Sequence, residues 1–378
     1  HILSGNCFEP TALNELIPDW KEKGAPLNTP AKKDIVKFFL TEKLSLGIPF
    51  ASFFAPNFNN HGNYVMSLAN FCRWLATQAE NLGVEIFPGF TAAEVIYEND
   101  TVKGILTGEM GLTKEGEKKP SYQPPMELRA KYTIFAEGCR GHLGKKLISK
   151  YALDANSDPQ HYGIGFKEVW DVPKEVHSEG TVMHSFGWPS KSNAGSYCYH
   201  GENNQVYLGI VVPLDYSNPH ISPFDEFQQW KHHKDIKKLL ENGTRVAYGA
   251  RALTKGGYHS RPKMTFPGGI LVGCDAGLMV FTKIKGTHTA MKSGMLAAES
   301  AFEAISKNRV GEDLIDFEEK LKSSWIETDL YKSRNMTALL HKYGTLIGGL
   351  IMGIEQFLFR GKLPFTCLLY TSDAADDT

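Results

Sequence analysis

Two glycine-bearing strand ends, 137 positions apart, constrain this chain most. "TIFAEGCRGHLG" covers residues 133–144, and "ILVGCDAG" covers residues 270–277. Each reads as a buried strand that turns through glycines, and the second runs through "KIKGTHTAMKSG" into a helix lined with small residues. Glycine lets backbone approach a ligand closely, and a helix N-terminus presents free N–H groups to negative charge. Such junctions suit a phosphate-bearing or flavin-like ligand. A dinucleotide fold usually opens on G-x-G-x-x-G after its first strand. That motif occurs nowhere in the chain.

The stretch between the two junctions differs in character. "YGIGFKEVW", "TVMHSFGW", "GSYCYH" and "QVYLGIVVPL" are short, aromatic and alternating, which predicts an antiparallel sheet from about His161 to Pro262. The fold expected is α/β of mixed α+β type, an α/β domain interrupted by a β-rich insert. Helical spacing predicts helices over Phe71–Gly83, Ser222–Leu240 and Thr289–Ile305, the last burying Met291, Met295, Ala298, Phe302 and Ile305. A strand "VEIFPG", strands over 92–97, 102–107 and 128–138, a turn at Asn99-Asp100 and a loop from Thr113 to Pro125 complete the pattern. His232-His233 reads as a solvated face rather than a metal site.

Two segments are too apolar for ordinary loops. "LSLGIPFASFFAPNFNN" (44–60) holds 17 uncharged residues, and its prolines exclude a continuous helix. "YGTLIGGLIMGI" (343–354) is too short to span a bilayer. Each alone reads as core. Together, beside Lys32, Lys33, Lys37, Lys43, Arg360 and Lys362, they raise the case for one membrane-facing plateau.

A net charge of −1 gives no global attraction to nucleic acid, so none is expected as a partner. The six cysteines are far apart and form no C-x-x-C, so no metal site is expected within these residues. The opening "HILSG" reads as the middle of a longer sequence, and "CLLYTSDAADDT" (367–378) as a sequencing-adapter artefact.

The chain resembles the electron transfer flavoprotein–ubiquinone oxidoreductases from His1 to about Thr366. The resemblance rests on "LSGNCFEPTAL", "WKEKGAPLNTP", "NNHGNYV", "TIFAEGCRGHLGKKL", "YGIGFKE", "EFQQWKHH", "YGARAL", "PKMTFPGGILVGC" and "KIKGTHTAMKSGMLAAES". It implies a discontinuous glutathione-reductase-like FAD domain (60–150 and 262–308). It also implies an inserted antiparallel quinone-binding domain (1–59 and 151–261) and a helical, membrane-associating segment (309–366). Glu137, Gly138, Gly273, Asp275, Gly277, Gly286, Thr287 and Thr289 then fall in flavin-contact segments. From the residues alone, Asp275 could equally be a turn residue or helix cap, Thr287 or Thr289 could cap the helix, and Lys283 and Lys285 could add positive field or stay at the surface. Gly256, Gly257 and Tyr258 fall at the quinone head group.

The resemblance further implies electrons passing from reduced electron transfer flavoprotein through a 4Fe–4S cluster and FAD to ubiquinone. The enzyme would be monotopic on the bacterial cytoplasmic or mitochondrial inner membrane. The family's G-x-G-x-x-G is expected upstream of His1 and its cluster cysteines beyond Thr366, so these residues alone are expected to hold FAD weakly. Cys274 and Val280-Phe281-Thr282 depart from the family pattern, and altered flavin chemistry is expected there. The rival readings are a nitrogen-fixation-type or geranylgeranyl-reductase-type flavin dehydrogenase, and an inactive membrane-bound scaffold.

Overall fold

The computed structural model describes residues 5–49, 56–189, 193–364 and 366–367. The alternating segments assemble one seven-stranded sheet. Its order is Thr244–Thr254, Tyr162–Asp171, Gln205–Pro213, Gly195–His200, Thr181–Gly187, Lys33–Phe39, Ser45–Gly47. All neighbours are antiparallel except Lys33–Phe39, which runs parallel to Thr181–Gly187.

Alternation gives the sheet two different faces. Ile210, Leu208, Cys198 and Met183 face one way and pack against Phe227, Trp230 and Ile236 of two helices. Burying an aromatic side chain such as Trp230 contributes about 3 kcal/mol. The opposite face carries Lys167, Tyr197, His184 and Val36, with glycines between them. That face forms the floor of a cavity.

The expected α/β part is also present. Thr133–Phe135 lies parallel to Gly269–Leu271, which pairs antiparallel with Thr265–Phe266. A meander of Ala92–Glu98, Thr101–Thr107 and Glu127–Arg129 precedes Thr133–Phe135 in the sequence. Asn99 and Asp100 turn its first hairpin with φ of 48° and 60°, conformations that asparagine and aspartate tolerate.

Several local expectations differ from the structure. "VEIFPG" forms no strand; Pro88 removes a ladder donor and no partner strand lies beside it among the described residues. The polar stretch 113–125 is mostly hairpin, Met110–Leu112 with Lys118–Gln123. The helix expected over 222–240 is two helices, Pro223–Lys231 and Lys234–Leu240. His233 divides them: its Nδ1 accepts from Asp235 N at 3.2 Å, and its ring stacks on Phe39 at 3.6 Å. It is buried, so only His232 of the pair fits a solvated reading.

Helix Thr287–Ser306 turns a different face inward from the one expected. His288, Thr289, Ser293, Leu296, Ala297, Ser300, Ala301 and Ala304 are buried, while Phe302 is 72% exposed and Ala298 is exposed. Close packing selects small side chains over large ones here. Ser293 Oγ accepts from Gly273 N at 3.1 Å and donates to Ala290 O at 3.0 Å, a contact a longer side chain would block.

Ser45–Gly47 of the first apolar segment pairs with Lys33–Phe39, and residues 50–55 of that segment lie outside the described residues. The second apolar segment is helical: Met336–Tyr343, a π-turn over Gly344–Gly348, then Gly349–Leu358. Among the described residues no helix is long and apolar enough to cross a membrane. The tail from residue 368 onward lies outside the described residues.

Candidate functional site

The two glycine-bearing strand ends meet, because their strands are parallel neighbours. Asp275 Oδ1 accepts from Gly141 N at 3.2 Å across 134 residues of sequence. Asp275 is buried, and its second oxygen, Oδ2, has no hydrogen-bond partner among the described residues. Burial first, then the charge of Glu137, pushes its carboxyl up to about 6. A buried acceptor without a donor fits a ligand hydroxyl, as on a ribityl chain. Gly138 and Gly273 take positive φ, 87° and 64°, where a side chain would be strained. These residues fit an FAD.

Other candidates are already engaged. The Glu137 carboxylate accepts from Leu143 N at 2.9 Å and Gly144 N at 2.7 Å, capping helix His142–Lys150. Thr289 Oγ1 donates to Leu278 O at 2.7 Å or Gly286 O at 2.9 Å. Thr287 Oγ1 accepts from Asn6 Nδ2 at 2.9 Å. Neither threonine caps the helix: Gly286 is the N-cap and no side chain caps that end. Its first N–H groups and the helix dipole are therefore directed at whatever lies beyond. Gly277 takes φ of 72° beside Gln160. Val280 is buried in the core and forms a bridge with Lys285; its side chain belongs to packing.

The two lysines after Val280 are not at the surface. Lys283 Nζ lies 2.7 Å from Asp329 Oδ2 and 3.2 Å from Glu9 Oε2. Glu9, His288 and Asp329 could together hold a cation; Lys283 supplies one. Burial opposes charge on Asp329, but His288 and Lys283 hold its carboxyl below the usual range. Lys285 is buried and donates to Asn60 Oδ1 at 2.7 Å.

Beside this cradle lies an apolar cavity of about 1600 Å³. Met279, Phe281 and Ile284, which follow the second glycine-bearing loop, line it. The sheet face forms the floor, and helices Met336–Tyr343 and Gly349–Leu358 contribute Met336, Leu340, Met352 and Ile354. Leu350 and Leu358, 67% and 63% exposed, and Ile48 also line it. The cavity therefore opens among exposed apolar side chains.

Gly256, Gly257 and Tyr258 stand just beyond this lining. Lys255 lines the cavity, Gly256 N donates to Gln160 Oε1 at 2.8 Å, and Tyr258 packs on Tyr331 at 5.4 Å. Lys167, His184, Tyr197 and Tyr199, which do line it, were not among the sequence candidates. The available signal was parity: in "YGIGFKEVW" Lys167 shares a face with Gly163 and Gly165, opposite Phe166 and Trp170.

The six cysteines are free, and among the described residues no cysteine belongs to a group of three or more candidate ligands, so they do not fit a 4Fe–4S cluster.

A profile for the ETF-QO ubiquinone-binding domain matches residues 162–253. A Pseudomonas aeruginosa protein named electron transfer flavoprotein-ubiquinone oxidoreductase is 56% identical over 372 residues, 97% of this chain and 67% of that protein. Its mitochondrial namesake from Bos taurus is 49% identical over 386 residues, 99% of this chain and 62% of that protein. The chain thus spans about two thirds of the bacterial relative and less of the bovine one. A solved geranylgeranyl bacteriochlorophyll reductase-like protein from Thermoplasma acidophilum superposes with a TM-score of 0.63 at 17% identity, over 94% of this chain and 86% of that one. A flavin-dependent brominase gives 0.61 at 15%, over 94% and 80%. These likenesses give the fold alone.

Proposed function

The chain belongs to the electron transfer flavoprotein–ubiquinone oxidoreductase family, and from that premise we propose that it carries the flavin-binding and quinone-reducing parts of such an enzyme. The observation that carries this reading is adjacency. A cradle with an unpartnered buried carboxylate oxygen at Asp275 adjoins a large apolar cavity, since Arg251 lines the cavity and donates to Glu137 O of the cradle at 3.4 Å.

FAD, when bound, supplies the redox chemistry of the site. The chain's residues then do four things. Gly138, Gly273 and Gly277 let backbone approach the cofactor, and Asp275 accepts from one of its hydroxyls. The uncapped start of helix Thr287–Ser306 favours the negative charge that a ring acquires on reduction. The apolar cavity takes a quinone ring with its polyprenyl tail directed toward Leu350, Leu358 and Ile48. Gly256, Gly257 and Tyr258 close the head-group end as the family resemblance implies, one to three residues past Lys255.

The segmental assignment follows: 60–150 and 262–308 for the flavin, 1–59 and 151–261 for the quinone, and 309–366 for membrane attachment. Exposed Leu44, Leu46, Ile48, Ile347, Leu350, Ile354 and Leu358 support a monotopic plateau, with bacterial cytoplasmic or mitochondrial inner membrane as the setting. Reduced electron transfer flavoprotein is the electron source of this reading. These cysteines offer no ligand set for a 4Fe–4S cluster among the described residues. The prenyl-reductase reading rests on fold likeness alone.

The test is quinone reduction. A flavin-loaded protein carrying this sequence at its relatives' full length should reduce a short-chain ubiquinone when supplied with reduced electron transfer flavoprotein. Bound flavin without turnover would leave the inactive-scaffold reading in its place.

A further inference from the structure

The floor of the apolar cavity carries titratable side chains in one cross-strand row. Register sets Gly249 and Gly209 on either side of Lys167, then Tyr197 beside Gly209, His184 beside Tyr197, and Val36 beside His184. With glycine on both neighbouring strands, Lys167 has room to stand in the cavity. The Tyr197 hydroxyl lies over Gly209, 2.6 Å from where a Cβ would be. Lys167 Nζ donates to Gly5 O at 2.8 Å. The next residue, Asn6, holds Thr287 at the start of the helix in the flavin cradle. Lys167 therefore stands near the seam between cradle and cavity.

We propose that Lys167 is a catalytic residue, whose ammonium hands a proton to a carbonyl oxygen of a quinone-class ligand in the cavity as that ligand is reduced. This rests on the functional reading above. Reducing a quinone to a quinol adds two electrons and two protons. The electrons come from the reduced flavin. Lys167 supplies one of the two protons: an Nζ–H bond breaks, its electron pair stays on nitrogen, and an O–H bond forms on the ligand, while the second proton leaves the reduced flavin together with the two electrons. The resulting neutral amine is recharged from water once the reduced ligand has left the cavity. An apolar cavity with an apolar rim excludes bulk water from the ring, so a lining side chain must deliver the proton.

The other lining groups suit this role less well. Arg251 is engaged with the first glycine-bearing loop, donating from Nη2 to Glu137 O at 3.4 Å. Lys255 is paired with Asp215 at 3.4 Å. Burial, with the charge of Lys285, pushes His184 down to about 3, so it is neutral and shares a 2.9 Å hydrogen bond with Tyr199. Burial holds the phenol protons of Tyr197 and Tyr199 tightly; outside the lining it does the same to Tyr207 and pushes the Cys7 thiol up to about 11. Lys167 makes no ion pair with a carboxylate among the described residues, and burial lowers it to about 8. It is charged at neutral pH and holds its proton loosely.

The test compares wild type, Lys167→Met and Lys167→Arg in the flavin-loaded protein at its relatives' full length. The oxidant is a short-chain ubiquinone, and ferricenium, which takes an electron and no proton, is the control acceptor. Lys167→Met is expected to lower kcat with quinone about 100-fold. Quinone affinity, read from tryptophan fluorescence quenching, should change far less. Wild-type kcat should fall as pH rises through about 8, and Lys167→Met should lack that limb. Lys167→Arg should bind quinone but recover little turnover, because a guanidinium does not release its proton. An unchanged kcat and pH limb in Lys167→Met would overturn the assignment. Equal losses with quinone and ferricenium would overturn it too, since they indicate a structural role. Wild-type protein that neither binds nor reduces quinone would overturn the functional reading itself.

Discussion

Asp275 Oδ1 accepts from Gly141 N at 3.2 Å, and this bond ties together the two glycine-bearing loops of the proposed flavin cradle. Its other oxygen is buried without a partner. The raised carboxyl has a direction for stability. In the folded chain it titrates near about 6 rather than near its ordinary value. A raised folded pKa gives stability that is present at low pH and lost as pH rises through it. Asp275→Asn should match wild type below about pH 4. Above about pH 6 the ligand-free variant should be more stable by roughly 2 kcal/mol. Denaturant titrations at several pH values check this. The same variant should bind FAD less tightly, having lost the charged acceptor.

Lys283 sits between Glu9 and Asp329. Lys283→Met leaves two half-buried carboxylates facing each other and His288. It should lower stability by about 3 kcal/mol at pH 7. Asp329 is held below its usual range by His288 and Lys283 against the effect of burial. Its stabilising contribution is therefore present above the ordinary carboxylate range and lost as pH falls through the depressed folded value. The gap between variant and wild type should narrow below about pH 4. Thermal melts across pH 3–8 measure it, those limits being about the carboxylate and neutral ranges.

Gly209→Ala tests the cavity floor. A Cβ there overlaps the Phe166 carbonyl oxygen and lies 2.6 Å from the Tyr197 hydroxyl. The backbone contact cannot yield cheaply, so a loss of about 2 kcal/mol is expected. The displaced phenol should also alter the near-ultraviolet circular dichroism.

The apolar plateau can be tested apart from stability. Leu46 and Leu350 are 53% and 67% exposed. Changing both to glutamate should leave the melting temperature nearly unchanged and abolish co-sedimentation with phospholipid vesicles. Equal sedimentation of wild type and variant would remove these residues from the membrane contact.

The architecture was legible wherever pattern and packing agree. Strands of the large sheet show period-2 alternation, and the Asn99-Asp100 turn declares itself by residue type. The inward face of Thr287–Ser306 was misread because hydrophobicity points to Phe302, whereas close approach to Gly273 demands serines and alanines. Glu137, a cofactor candidate, spends both oxygens on a helix start seven residues away or fewer, which no spacing rule separates from ligand binding. Lys167 was missed because a lysine in a strand reads as surface; only the glycines opposite it at 209 and 249, known from register, show that it faces a cavity.

The central claim is that the apolar cavity is the quinone site, and photolabelling tests it most directly. An azidoquinone irradiated with the flavin-loaded protein should mark peptides from Tyr162–Asp171, Gly195–His200 and Gly349–Leu358, which line the cavity from three elements. Excess ubiquinone should protect all three together. Label confined to the outer surface, or label on these peptides that ubiquinone does not displace, would contradict the claim.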